Sequence, residues 1–229
     1  MTAFVFAPQM QPSIAVRGRT ERFPVHRIYC VGRNFAEHAR EMGVEAPKGN
    51  PVFFMKPADA VIQSPAIPYP GATDDLHHEV ELVVALGTGI PEPLTLANAE
   101  SAIFGYAVGL DLTRRDLQAI AKEKRLPWDT AKGFDASAPV SALVECAQAN
   151  ISPETLLRLH VNGEVRQQAI LADMIFSVPE ILLALSKLYT LQSGDLIFMG
   201  TPSGVAALHR GDALHAELAG IVAFEGGIV

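Results

Sequence analysis

Cysteine is nearly missing from this chain: its 229 residues hold two, Cys30 and Cys146, with neither a CxxC pair nor a zinc-ligand spacing. A disulfide framework is thereby excluded, and two reduced thiols in a cytosolic protein are the expected state. Charge is also scarce. Asp, Glu, Lys and Arg make up 19%, below the roughly 25% of an average globular chain, and no Lys/Arg cluster exceeds a pair. With a net charge of −7 and a pI near 5.5, neither nucleic acid nor an anionic membrane is an expected partner. No stretch approaches the roughly 18 apolar residues that span a bilayer. The opening "MTAFVFAPQM" has no basic n-region and meets Pro8 early, so it does not read as a signal peptide, and a cytoplasmic location is expected. Repeats, low-complexity tracts and Gly/Ser-rich linkers are lacking as well. A short N-terminal arm or edge strand over residues 1–24 and one domain over 25–229 are the expected organisation.

Apolar residues are what the chain has in quantity, at 49% with a mean hydropathy of +0.21, enough for a large core and consistent with a buried subunit interface. Eighteen glycines and sixteen prolines break this material into short runs, which predicts a β-rich α+β fold. Strands are expected at 26–32, 51–57, 79–87 and 102–113, the last ending near Asp111. Asn162-Gly163 between alternating runs predicts a hairpin over 156–170. A short helix is expected after Asn34, its N-cap, with Glu37 completing a capping box and Gly43 ending it. A second capping-box pattern, Thr113 with Asp116, opens a helix over about 114–125 that should bury Leu117, Ile120 and Ala121. "VPEILLALSKLY" (178–189) reads as a third helix, with Pro179 in its first turn.

One strand poses a chemical problem. In "HHEVELVVAL" (77–86), alternation puts Glu79 and Glu81 on one side, roughly 7 Å apart along the strand, with Val83 and Ala85 continuing that side. Two carboxylates side by side repel, and burying them unpaired is costly. Either the face is wet, or a positive charge sits between them. Asp111, at the end of another strand, supplies a third acid. Three carboxylates with open positions suit Mg²⁺ or Mn²⁺ rather than zinc, which would want His or Cys.

Eight stretches taken together resemble the fumarylacetoacetate hydrolase family, in its small single-domain branch of acylpyruvate hydrolases and oxaloacetate decarboxylases. They are "VGRNFAEHAREMG" (31–43), "PVFFMKP" (51–57), "LHHEVEL" (76–82), "GLDLTRRDLQ" (109–118), "AKGFDASAPVS" (131–141), "VNGEVRQQ" (161–168), "SGDLIFMGTPSGV" (193–205) and a late Gly-Asp turn. The resemblance implies a mixed β-sandwich or roll with short helices, a homodimer, one Mg²⁺ or Mn²⁺ per chain and a small keto-acid substrate. It makes Glu79, Glu81 and Asp111 the metal ligands. It assigns water activation to His38 with Glu41, which share a helix face at i,i+3. Glu37 and Arg40 could equally contact neighbours, so that spacing does not select Glu41, and the pair could simply be solvated. It implies that Lys132 stabilises an oxyanion or holds the attacked carbonyl, and that Arg115, Gln118 and Thr201 contact the substrate. Arg114 is the structural alternative to Arg115. Where many relatives read Thr-Gly-Thr-Pro, this chain has Met199 in the first place. Hydrolysis of fumarylpyruvate is the expected activity, with oxaloacetate decarboxylation or tautomerisation on the same site as the alternative; a scaffold with a merely structural metal is the reading from outside catalysis.

Overall fold

The computed structural model of the chain describes residues 3–41 and 49–229, with the side chains of His38 and Ala39 left outside the described set. Two mixed sheets carry the fold. The larger has six strands in the order Val144–Glu145, Ile103–Leu110, Val80–Leu86, Leu196–Phe198, Ile28–Gly32 and Val52–Lys56. The smaller has five, in the order Glu164–Ile170, Leu156–Val161, Ala213–Leu218, Val222–Ile228 and Ala66–Ile67. Among the described residues no helix is long and apolar enough to cross a membrane.

The six-stranded sheet is covered on both faces. Val80, Leu82, Val84 and Leu86 project into a core shared with Leu157, Leu159, Leu214 and Leu218 of the five-stranded sheet. On the other face Val83 and Ala85 pack with Cys30, Ala107 and Phe198 beneath Ile14, Val16 and Phe23. Those last three belong to or flank a hairpin, Ser13–Ala15 with Arg22–Pro24, within the stretch expected as an arm. Double coverage is why every residue from Val80 to Leu86 is buried, as in strands sandwiched between layers. The wet-face reading of Glu79 and Glu81 therefore fails: they are 5% and 2% exposed.

Local signals succeed where the contact is local. Asn162 and Gly163 take φ of 54° and 81°, the paired left-handed conformation of a two-residue hairpin turn, and the strands flanking it pair antiparallel. The helix Val178–Ser186 begins with Pro179 in its first turn and ends three residues before Tyr189.

Two expected capping boxes do not form. The first helix is Ala36–Glu41, and Asn34 serves the fold rather than the helix: its amide donates to the carbonyls of Phe176 at 3.1 Å and Met199 at 2.8 Å and accepts from Phe176 N–H. Gly43, its expected terminator, lies outside the described residues. At the second helix, Arg115–Lys124, the Thr113 hydroxyl bonds to the Asp111 carbonyl and to Lys132, while Asp116 accepts from Thr73 and Leu117. The buried face of that helix is Gln118 and Ala121. Ile120, expected inside, is 45% exposed, and Leu117 is half-buried.

Candidate active site

The two sheet strands that matter here end together. Glu79 directly precedes Val80–Leu86; Glu81 lies within it, paired across to Gly109. The missing side chain at Gly109 is required, since a Cβ would come within 2.7 Å of Phe198 and 2.8 Å of Val83. Asp111 follows Ile103–Leu110, and its N–H donates to the Glu79 carbonyl at 2.8 Å. One oxygen from each of Glu79, Glu81 and Asp111 lies within 4.8 Å of the others, and all three residues are buried.

Three cations hold this cluster together. Lys132 Nζ lies 2.8 Å from Glu79 Oε2 and 2.6 Å from Asp111 Oδ2, with its third donor on Thr113 Oγ1 at 2.6 Å. Arg115 donates to Glu79 Oε1 at 2.5 Å and to Gln118 Oε1 at 2.6 Å. Lys56, fully buried, puts Nζ 2.8 Å from Asp111 Oδ1 and also donates to the carbonyls of Leu112 and Lys132. Three carboxylates thus face three cations, and the formal charge is balanced without a metal. Burial alone would lower the Lys132 value, but Asp111 and Glu79 outweigh it and hold the ammonium above its ordinary range. Glu81 accepts Gly200 N–H at 2.7 Å and has no cation in ion-pair contact among the described residues. Burial, then the Asp111 and Glu79 charges, push its carboxyl well above the usual range.

These groups fit a hard divalent cation. The donor set is all oxygen, and buried Asp111 Oδ1 accepts no hydrogen bond despite its proximity to Lys56. The crowded Glu81 carboxylate is the charge such an ion would relieve. Mg²⁺ and Mn²⁺ match oxygen donors with open positions; zinc does not.

The cleft above the cluster is lined by Glu79, Glu81, Lys132, Arg115, Gln118 and Thr201, together with Val31, Gly32, Arg33, Phe54, Lys122 and Trp128. Thr201 is placed by Gln167, whose Nε2 donates to Thr201 Oγ1 at 2.8 Å while its Oε1 accepts Val80 N–H at 3.0 Å. That leaves the Thr201 hydroxyl hydrogen as a donor. Gly200, next to it, has φ of 93°, and a Cβ there would lie 2.7 Å from Asn34. Met199 is core packing. Arg114 turns away, donating to the Thr130 carbonyl and lying 4.4 Å from the Phe134 ring centroid.

Glu41 meets the loop that follows Thr201, its carboxylate accepting Gly204 N–H at 3.1 Å. Gly204 has φ of 94° and would place a Cβ 2.1 Å from the Arg166 carbonyl, so the loop from Thr201 to Gly204 depends on glycine. His38 lies on the same short helix as Glu41, its side chain outside the described residues. Glu37 pairs with Arg40 at 3.6 Å, both exposed. Sequence reasoning missed Lys56, Gln167, Arg33 and Lys122. A lysine inside the apolar run "VFFMK" was the available signal for the first; Gln167, the one buried residue of its strand, is not marked apart from Gln168 in the sequence.

Comparison with known proteins agrees with this geometry. The family description "Fumarylacetoacetate (FAA) hydrolase C-terminal" matches residues 27–229. The chain belongs to the fumarylacetoacetate hydrolase family. The family's fold, a β-rich architecture with few short helices, is the one described above. An oxaloacetate tautomerase from Escherichia coli (strain K12) is 42% identical over 195 residues, 84% of this chain and 88% of its own. The mitochondrial oxaloacetate tautomerase of Homo sapiens is 44% identical over 199 residues, 85% and 88% of the two chains. The crystal structure of a fumarylpyruvate hydrolase from Pseudomonas aeruginosa, in complex with Mn²⁺ and pyruvate, superposes with a TM-score of 0.94 at 42% identity, covering 99% of both chains. This is therefore an enzyme of that family, with an acidic triad suited to a divalent metal.

Proposed function

We propose that the enzyme hydrolyses the carbon–carbon bond of an acylpyruvate, fumarylpyruvate giving fumarate and pyruvate, with Mg²⁺ or Mn²⁺ held by Glu79, Glu81 and Asp111. The observation that carries this reading is the docking of Glu41 on Gly204 N–H. It ties the end of the helix bearing His38 to the loop three residues after Thr201, which supports a water-activating base on that helix. The overlap with the Pseudomonas aeruginosa fumarylpyruvate hydrolase over 99% of both chains supports it. When bound, the metal ion supplies Lewis-acid stabilisation of the enolate that leaves as pyruvate.

The remaining chemistry belongs to the chain. Thr201 donates its hydroxyl hydrogen to the substrate carboxylate, with Gln167 keeping the oxygen in place. His38 takes a proton from water, and the resulting hydroxide adds to the acyl carbonyl. The bond between that carbonyl carbon and the methylene then breaks, its electron pair stays on the pyruvate fragment as enolate, and the proton held by His38 passes to the former methylene carbon, completing pyruvate. Lys132 has all three of its donors on Glu79, Asp111 and Thr113. It serves here as the counter-charge of the acids and can meet a substrate oxygen only by releasing one of them.

A second reading is favoured by the tautomerase relatives at 42% and 44% identity: interconversion of oxaloacetate keto and enol forms, or its decarboxylation, neither of which needs an attacking water. His38→Gln separates them. Fumarylpyruvate hydrolysis should fall roughly 10²- to 10⁴-fold on loss of a general base, as read by the diketo-enol absorbance with fumarate and pyruvate quantified. Wild-type protein that leaves fumarylpyruvate intact but equilibrates oxaloacetate with Mn²⁺ would move the enzyme to the tautomerases. A homodimer is part of the same proposal, supported by the low charge content and by Ile120 and Leu126, 45% and 53% exposed. Light scattering should give twice the 24.6 kDa chain mass; a monomer would overturn it.

A further inference from the structure

Two cations in the cleft form no ion pair among the described residues. Arg115, Gln118 and Lys122 stand at i, i+3 and i+7 on the helix Arg115–Lys124, a spacing that puts them on one face, and all three line the cleft. Arg115 and Gln118 are committed, to Glu79 and to each other. Lys122, one turn beyond Gln118, lies 5.5 Å from the Trp128 ring centroid, and its side chain has no ion pair or hydrogen bond among the described residues.

Arg33 joins it from a different element. It follows the strand Ile28–Gly32 with φ of 62°, a left-handed conformation uncommon for a non-glycine residue, and lines the same cleft. It too has no hydrogen-bond or ion-pair partner among the described residues. The two charges sense each other: partial burial, then Arg115, push Lys122 down to about 8, with Arg33 and Lys132 adding to the shift against the opposing pull of Glu79. Like charges that line one cleft and form no ion pair with its acids among the described residues are arranged for an anion that arrives from outside. The inner acids are already matched by Lys56, Lys132 and Arg115, so Lys122 and Arg33 are surplus to that balance.

We propose that Lys122 and Arg33 form a second carboxylate subsite in the cleft, which holds the far end of the substrate and makes the enzyme selective for acylpyruvates with a carboxylate at both ends. This rests on the hydrolase reading above and adds the residues that set its specificity. A monocarboxylate such as acetylpyruvate fills the inner end alone and leaves both cations unpaired. A dicarboxylate such as fumarylpyruvate meets them.

The test compares kcat/KM for fumarylpyruvate and acetylpyruvate in wild type, Lys122→Met and Arg33→Asn, asparagine being tolerant of the left-handed conformation. Each variant should lower the fumarylpyruvate-to-acetylpyruvate specificity ratio by about 10- to 100-fold, the scale of one lost hydrogen bond to a charged group, with the loss mainly in KM. Equal losses on both substrates, or an unchanged ratio, would overturn the subsite while leaving the hydrolase assignment intact. If wild type hydrolyses neither substrate, the hydrolase assignment fails, and the subsite is decided by calorimetric titration of the Mn²⁺-loaded protein. Fumarate should then bind more tightly than crotonate, and the variants should lose that preference. No preference in wild type would overturn the subsite.

Discussion

Lys132→Met is expected to lower the melting temperature in metal-free buffer by roughly 6–20 °C and to abolish turnover. Lys132 is buried, and its three donors are the nearest positive groups to Glu79 Oε2 and Asp111 Oδ2. Removing one partner of a buried ion pair costs about 3–5 kcal/mol because the other charge stays behind. A chain of this size shifts by about 2–4 °C per kcal/mol. Since Asp111 and Glu79 hold the Lys132 ammonium above 10.5 against the effect of burial, its contribution is complete below the unfolded lysine value. It is lost only as pH rises through the higher folded value. The gap between wild type and variant should therefore be flat from neutral pH to about 9 and close only in strong alkali. Mn²⁺ should return part of the lost stability, because the ion offers the abandoned carboxylates another positive charge. A melting temperature unchanged by the substitution would mean that the acids are not held by Lys132.

That prediction shows how the site works as an electrostatic unit. Three acids and three bases balance within the protein, so a divalent ion brings the cluster to a net positive charge. An anionic substrate is then attracted rather than repelled. The same arithmetic without Lys56 and Arg115 leaves the metal-loaded centre neutral, with nothing in reserve for an anionic substrate. Catalysis in this pocket therefore depends on cations whose nearest role is to keep the acids folded.

The legible parts of the molecule were those with a local cause. Asn162-Gly163 dictated its turn, and the face shared by Glu79, Glu81, Val83 and Ala85 followed from the period of a strand. Asp111 was placed at a strand end, and it is there. The failures share a different cause. Asn34 and Thr113 have the right chemistry for helix caps, but partners at Met199, Phe176 and Lys132 claim their side chains first. Periodicity found the helix Arg115–Lys124 and the burial of Ala121 but missed the rest of its inner face. Gln118 is buried where it turns toward the cleft, and Ile120 faces outward. Lys56 sits 56 residues before Leu112, whose carbonyl it bonds, and Gln167 meets His78 across 89. Nothing in their immediate sequence announces either contact, because both arise from how the sheets pack.

Glu81→Gln should separate the metal's contribution from that of the fold more sharply than any other change. The amide is close in size to the carboxylate and keeps an oxygen for Gly200 N–H, which Glu81 accepts at 2.7 Å. In chelator the variant should melt no lower than wild type, and higher as pH rises. The reason is the sign of the linkage. Burial and then the Asp111 and Glu79 charges raise the folded Glu81 value above its unfolded one, so the native state holds the proton more tightly and loses stability as pH climbs above the unfolded value. Glutamine has no such proton, so its advantage should grow upward from about pH 4.5. With Mn²⁺ the order reverses. Wild type at a hundredfold excess over the dissociation constant gains about 2.7 kcal/mol, or roughly 5–10 °C, because the ion binds the ionised triad. Glu81→Gln gives up one of three anionic oxygen donors and should lose most of that gain, along with roughly 10³-fold in turnover, the scale of a lost Lewis-acid contribution. Differential scanning fluorimetry across pH, with EDTA or Mn²⁺, reads all three effects. A variant that keeps the full Mn²⁺ shift would remove Glu81 from the metal site and leave its burial to be explained by the Gly200 contact alone.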